Sequence, residues 1–570
     1  MSPLDYAVLI VSMVGIAAYG VWRTRGRQGL SHYLKGERNT GWAVIGLSVM
    51  ATQAGPITFM STPGQGYQDG IGFVQNYFGA PLALVLIAAV FVPMYRKLNV
   101  YTAYEFLGRR FDAKTRLLGA ALFLIQRGLQ AGITIYAPAI IVSTMLHWRT
   151  DVTIILTGLV VIVYTATGGS EAVNVTQKYQ LGVIFCGMFA ALVVLLVKMP
   201  GGHSVTESLS VAGLFRKLDG VDFSVDVKQR YTFWSGLLGG FFLMLSYFGT
   251  DQSQVQRYLT GASVRESRLG LMFNAVLKIP MQFAILLIGS LVFVFYQFEP
   301  PPVFFNQSTW EAGLQRGAAP RLHAIEQRFA EVHAEKRGAI EAWLAARRAG
   351  DQNRAATARL RARVAHERSE SVLEEARNTL KAAVPRASPT DTDYVFITFI
   401  LRHLPHGLIG LLIAAFFAAT LSSKAAELNA LASTTVVDFY RFVIRPGATD
   451  AHYVAASRGF TVFWGVIAVG FALFASLTEN LVQAVNIVAS IFYGVVLALF
   501  LVAFFLRRVG GTAVFWAALA AQGLVFVLYS RLKISYLWYN LIGCAACVVF
   551  SLALQAVLGR GTKRAAEPGS

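Results

Sequence analysis

Apolar runs of roughly 20 residues recur from one end of the chain to the other, each long enough to cross a hydrocarbon core about 30 Å thick. They lie near residues 5–22, 42–64, 71–95, 117–146, 151–167, 179–198, 233–250, 270–297, 395–434, 457–476, 481–506, 512–530 and 534–558. The pattern predicts an all-α integral membrane protein with about 13 transmembrane helices. One stretch departs from it. Phe304–Asp393 is rich in Ala, Arg and Glu, and the turn-like Arg348–Asn353 divides two helical arms, Arg321–Arg348 and Arg354–Val384. Opposite charges four residues apart suit a solvated helix face, so an antiparallel hairpin outside the membrane is predicted. The chain therefore divides into transmembrane helices over 1–303, the hairpin insertion over 304–393, further transmembrane helices over 394–559 and a tail at 560–570. The hairpin reads as a plain solvated insertion, or as a docking surface for a protein partner or a lid over the entry.

Polar residues break two of the apolar runs in an informative way. In Leu421–Ala430, Ser422 and Ser423 sit mid-run and are followed by Lys424 and Glu427. An unpaired hydroxyl in hydrocarbon costs several kcal/mol, so such residues face a bundle interior, a water-filled cavity or a ligand. Far upstream, Met50–Tyr67 carries Gly55 and Pro56 inside another run. A helix broken there frees backbone carbonyls, and carbonyls with two hydroxyls make an oxygen cage suited to a small hard cation such as Na+. The other reading of the serines is a hydroxyl bonded back to a carbonyl of its own helix. The combination points to an ion-coupled transporter.

Composition agrees with the pattern. Of 570 residues 55% are hydrophobic and only 14% charged, against about 25% charged in soluble domains. The net charge of +19 is concentrated in alternate loops: Arg23–Arg38, Tyr95–Arg116, Val255–Arg268, Phe439–Arg445, Arg507–Arg508 and the tail from Arg560. With an odd helix count these fall on one side, which predicts an outside N-terminus and a cytoplasmic C-terminus. The basicity is then a topology signal and a contact for anionic membrane lipids, not a nucleic-acid footprint. The expected location is the plasma membrane, taken as a bacterial inner membrane. The first run is flanked by Asp5 instead of a basic segment and reads as a retained helix, not a signal peptide. Cys186, Cys544 and Cys547 all fall inside apolar runs and read as packing residues. No phosphate loop, clustered metal-binding histidines or Ser-His-Asp pattern stands out, so enzymatic chemistry is not expected.

Five segments together resemble the solute:sodium symporter family, which includes sodium/glucose, sodium/monocarboxylate and sodium/sialic acid cotransporters. They are Ala51–Tyr67, Tyr164–Gln180, Tyr247–Leu259, Asn274–Met281 and Ala418–Arg441. The resemblance implies a five-plus-five inverted-repeat, LeuT-like fold, with the first repeat beginning near residue 42 and a small-molecule substrate bound at broken helices near the midplane. It also implies a sodium site made by the carbonyls of Ala51, Ala54 and Ala419 and the hydroxyls of Ser422 and Ser423. A second sodium site known in some relatives would be missing here, because Gln177, Ala425 and Ala426 stand at its positions. Lys424 is a departure whose ammonium sits where a cation would otherwise bind, or snorkels to water.

For the substrate, the resemblance points to Gln53, Thr58, Phe73, Gln75, Asn76, Tyr77, Arg127 and Lys278. The acidic pair of the sugar carriers is not there, since Ile57 and Tyr77 occupy such positions. An arginine inside a membrane span is a functional candidate by default, and its planar fork fits a carboxylate. The other reading of Arg127 is a structural pair with Glu427 or a cap on carbonyls; Lys278 could equally snorkel to the cytoplasm. Tyr247 matches a tyrosine that closes the inner side of the pocket in relatives, or is a core aromatic. The expectation is Na+-coupled symport of a small carboxylate-bearing solute by alternating access, with a neutral sugar or polyol, or a transporter-derived solute sensor, as alternatives.

Overall fold

The computed structural model describes residues 2–12, 41–53, 55–98, 102–385, 388, 390–474 and 479–559, with backbone alone for 56, 98 and 167–180. The basic loop Arg23–Arg38, Ala54 and the tail 560–570 lie outside these residues. After Pro3–Ser12 (α1), the chain forms Trp42–Gln53 (α2) and starts again as Pro56–Asp69 (α3). Proline lacks an N–H and pushes the preceding residue out of the helical region, and Gly55 is extended at φ −75°, ψ −174°. The break therefore follows directly from the Gly-Pro pair.

A 3₁₀ turn, Gly70–Tyr77, leads to Ala80–Leu86 (α4) and, through a π-helical turn, Val92–Leu98 (α5). Ala103–Arg110 (α6), Ala113–Leu146 (α7), Thr150–Val197 (α8) and Val205–Leu214 (α9) complete the first half. The second half also opens on a broken helix: Gly240–Thr250 (α10) and Gln252–Leu259 (α11) are separated by Asp251 in an extended conformation. Val264–Phe298 (α12) follows, then Gln307–Gly313 (α13) and the long arms Ala319–Arg348 (α14) and Gln352–Ala383 (α15). Thr392–His403 (α16), Leu408–Thr434 (α17), Asp450–Phe474 (α18), Leu481–Phe505 (α19), Gly511–Arg531 (α20) and Leu537–Leu558 (α21) close the chain. Among the described residues, eight helices are long and apolar enough to cross a membrane.

Three expected spans differ. The runs at 151–167 and 179–198 form one helix of 48 residues, because the segment between them has no proline and its Gly168–Gly169 pair permits a bend without forcing one. The run at 395–434 is instead two helices, since Pro405 and Gly407, at φ 86°, end α16 and redirect the chain into α17.

The second half of the first broken helix, α3, is pressed against its neighbours. A Cβ on Gly64 would lie 2.1 Å from the Thr392 carbonyl oxygen, and one on Gly289 would lie 1.9 Å from that of Pro63. Only glycine permits this approach, so α3 lies backbone to backbone on α12 and the start of α16. There Asp393 accepts the Leu481 N–H of α19 at 3.1 Å, while Ser61 of α3 accepts that of Val482 at 3.2 Å. Two elements, α3 and α16, thus close over the start of α19.

The α14–α15 hairpin is not a free arm. Leu322, Ile325, Phe329, Ile340, Trp343 and Leu344 fall on one face of α14, opposite the small residues Ala358, Ala362, Ala365, Ser369 and Ala376 of α15. Small residues four apart let the arms approach closely. The distal half joins the apolar core of the membrane bundle, and Arg348 binds Glu207 at 2.6 Å. His333 Nε2 lies 2.9 Å from the Tyr296 carbonyl oxygen at the end of α12.

Candidate functional site

A cavity of about 110 Å³ lies between the broken helix α2–α3 and helices α7, α10, α17 and α19. Gln53, Gly55, Thr58, Tyr77, Arg127, Tyr247 and Ser423 line it, as do Gln130, Thr134, Lys424, Glu427, Asn486 and Tyr493. The helix break supplies one wall. Thr58 caps it, its hydroxyl donating to the Gln53 carbonyl at 3.2 Å. Carbonyls in the final turn of a helix lack intrahelical partners, and Ala51 lies in that turn of α2.

Opposite stands α17, where Ala419, Ser422 and Ser423 are buried. A Cβ on Gly55 would sit 3.1 Å from Ser423 Oγ, so the bare glycine keeps the hydroxyl within reach of the break. Ser422 donates to the Ala419 carbonyl at 3.0 Å, so the back-bonding considered for these serines is present for one of the pair. Of the expected sodium ligands, the structure brings Ser423 and the residue next to Ala54 face to face; Ala54 itself lies outside the described residues. Among those residues no cluster of His, Cys, Asp and Glu could hold a metal ion. The Ser423 hydroxyl is a neutral oxygen donor of the kind that suits Na+.

Four charges lie at or behind the cavity wall. Arg127 of α7 is ion-paired with Asp251 at the break between α10 and α11, and donates to the Tyr493 hydroxyl at 3.1 Å. Tyr493 in turn donates to Asp251 at 2.7 Å. The other end of the guanidinium lies 3.7 Å from Glu427, whose second oxygen pairs with Lys424 and accepts from Thr134 at 3.2 Å. Two cations and two carboxylates balance, which is how a membrane interior tolerates them. Tyr247 lies with its ring 5.6 Å from the Arg127 guanidinium and accepts a hydrogen bond from Gln254 at 2.6 Å. It lines the cavity wall.

Not all the expected substrate residues gather here. Phe73 packs edge-on against Tyr77 and Tyr231. Gln75 donates to the Gly72 and Tyr231 carbonyls and accepts the Asp222 N–H, and the Asn76 side-chain oxygen accepts from Tyr536 at 3.3 Å. These three stabilise the loop outside the cavity. Lys278 is 1% exposed, so it does not snorkel to water; its ammonium lies 4.7 Å from the centroid of the Tyr77 ring, behind the cavity wall. Asp251, Thr134 and Tyr493 were not singled out from sequence. An acid between two apolar runs was the available signal for Asp251; the other two look like ordinary span residues.

The family model for sodium:solute symporters matches residues 33–322 and 377–521. The chain belongs to the sodium:solute symporter family. The gap in the match, 323–376, is filled by most of the α14–α15 hairpin. Human sodium-coupled monocarboxylate transporter 1 is 28% identical over 499 residues, covering 87% of this chain and 68% of that protein. The human sodium/iodide cotransporter is 30% identical over 295 residues; the match covers 51% of this chain and 45% of the cotransporter's length. A solved substrate-bound, outward-open structure of a Na+-coupled sialic acid symporter aligns with a TM-score of 0.73 at 21% identity, over 98% of this chain and 99% of that one. The fold is therefore the expected all-helical, LeuT-like membrane architecture. Its two broken helices, α2–α3 and α10–α11, each open one half of the chain and meet at the same cavity. Family and fold place the protein in a membrane, with sodium as coupling ion.

Proposed function

We propose that this protein carries a small, carboxylate-bearing organic anion across the membrane together with Na+, by alternating access. The observation that carries the reading is Arg127: a guanidinium inside the bundle, at the wall of the cavity that Gly55 and Ser423 also line. A planar fork binds a carboxylate through two parallel hydrogen bonds, which a point charge cannot imitate. The cavity, about 110 Å³, suits a small solute. Monocarboxylate and iodide, the solutes in the names of the human relatives, are both anions. Ala51, Ala54, Ala419, Ser422 and Ser423 hold the sodium, Arg127 with Gln53, Thr58 and Tyr77 contacts the solute, and Tyr247 closes the inner side. The N-terminus and the hairpin lie outside, and the C-terminus lies in the cytoplasm.

Uptake into proteoliposomes with and without Na+ tests the reading. Arg127→Lys should impair uptake nearly as much as Arg127→Ala. Normal transport by the lysine variant, or a neutral sugar outcompeting every carboxylate in a substrate panel, would overturn it.

A further inference from the structure

The two carboxylates that face Arg127 are held very differently. Asp251 has no exposed side-chain surface, and both its oxygens are engaged: one by the Ser253 N–H and hydroxyl at 2.9 and 2.6 Å, the other by Arg127 and Tyr493. Glu427 lines the cavity. One of its oxygens is fixed by Lys424 and Thr134, while the other stands 3.7 Å from Arg127, within ion-pair range but beyond a hydrogen bond. Nη1, the nitrogen that Glu427 faces, lies too far from that carboxylate for a hydrogen bond, while Nε, on the Nη2 edge that Asp251 holds, is buried without a partner. Arg127 is thus anchored at one end and incompletely engaged at the end that Glu427 faces.

We infer that Glu427 is a tethered rival of the transported anion: in the empty carrier it neutralises the cavity end of Arg127, and an incoming carboxylate displaces it onto Lys424. This rests on the carboxylate reading above. Lys424 is three residues from Glu427 on α17, already bonded to it, and is the ready-made second partner for the displaced group. With Asp251 on Arg127 and Glu427 on Lys424, the incoming anion makes three negative groups against two positive ones, and the co-transported Na+ supplies the third positive charge that a low-dielectric interior requires. Ser423, four residues from Glu427, shares that face of α17, so the displaced carboxylate and the sodium-facing hydroxyl ride on one helical turn.

A rival that occupies Arg127 part of the time weakens the apparent affinity for the solute by the fraction of time Arg127 is free, so removing it should tighten binding. Binding of acetate, propionate and lactate to purified protein in saturating Na+ reads this directly, with size-exclusion profiles as the folding control. Glu427→Gln should tighten binding about two- to tenfold. Lys424→Met, which frees Glu427 to pair fully with Arg127, should weaken it.

Net charge alone would also give those two signs, and the Lys424→Met/Glu427→Gln double variant separates the explanations. Displacement predicts that the double variant remains tighter than wild type; a pure charge effect predicts a return to the wild-type value. On an Arg127→Ala background, Glu427→Gln should change nothing. Unchanged or weakened binding in Glu427→Gln, with Arg127→Ala still deficient, overturns the inference and leaves the carboxylate reading standing. Undiminished binding of all three acids by Arg127→Ala overturns both.

Discussion

Ser423 is a hydroxyl on a buried helix facing the end of another helix, with a bare glycine between them. If it completes a five-oxygen sodium cage, Ser423→Ala removes one charge-assisted ligand, worth about 1.5–3 kcal/mol. The sodium concentration for half-maximal uptake should rise roughly tenfold to hundredfold; an unchanged value in the variant would remove Ser423 from the site. The serine pair, Arg127 and Tyr247 were legible because each is a polar or amphipathic group in an apolar run, and hydrocarbon penalises such groups enough to make them conspicuous. Their partners were harder to see. Thr134 and Tyr493 matter through what they touch across the bundle, and nothing local marks that contact. Phe73, Gln75 and Asn76 lie in the 3₁₀ turn Gly70–Tyr77, and their contacts are with aromatic and backbone groups across the bundle: Tyr77 and Tyr231 for Phe73, the Tyr231 and Asp222 backbone for Gln75, and Tyr536 for Asn76.

Among the elements, the Gly-Pro break and the hairpin were both written in composition, since each depends on residues with strong local effects. The division at Pro405–Gly407 was hidden by the apolar residues on either side. The docking of the hairpin was hidden too, because the faces that meet are built largely of alanine, which carries little pattern. That docking can be tested through His366 of α15. Burial, together with the nearby Lys336 and Lys217 ammonium groups, pushes its imidazolium down to about 3 from an ordinary value near 6.5. The ring packs 4.7 Å from Phe215. An undocked hairpin therefore binds a proton that the docked one refuses between about pH 6.5 and 3, so docking should weaken as pH falls through that window. Amide exchange along α15 should speed up on moving from pH 7 to pH 5 after correction for intrinsic rates. His366→Phe should flatten the dependence, and a wild-type hairpin equally protected at both pH values would rule the mechanism out.

For the whole molecule the question is what gradient does the work. Ala425 and Ala426 are fully buried at the positions where relatives with a second sodium site carry serines, and Gln177, the third position, has a side chain outside the described residues. One sodium per cycle is the expectation. A tenfold sodium gradient stores about 1.4 kcal/mol, and 100 mV adds about 2.3 kcal/mol for each net charge moved. One Na+ with a monoanion moves no net charge, so accumulation should stop near tenfold and ignore an imposed potential. A sustained inward positive current that requires both sodium and substrate would mean a second cation is carried or the solute is not an anion. The hairpin has a consequence of another kind. Its arms, 30 and 32 residues long, reach roughly 45 Å, and its distal half is fastened to the bundle. At the tip, Gly350 has open space where a side chain would project. A folded protein grafted rigidly between Ala349 and Asp351 would inherit its orientation from the bundle. For a 62.2 kDa particle otherwise wrapped in detergent, that graft would be an asymmetric landmark for aligning images in the electron microscope.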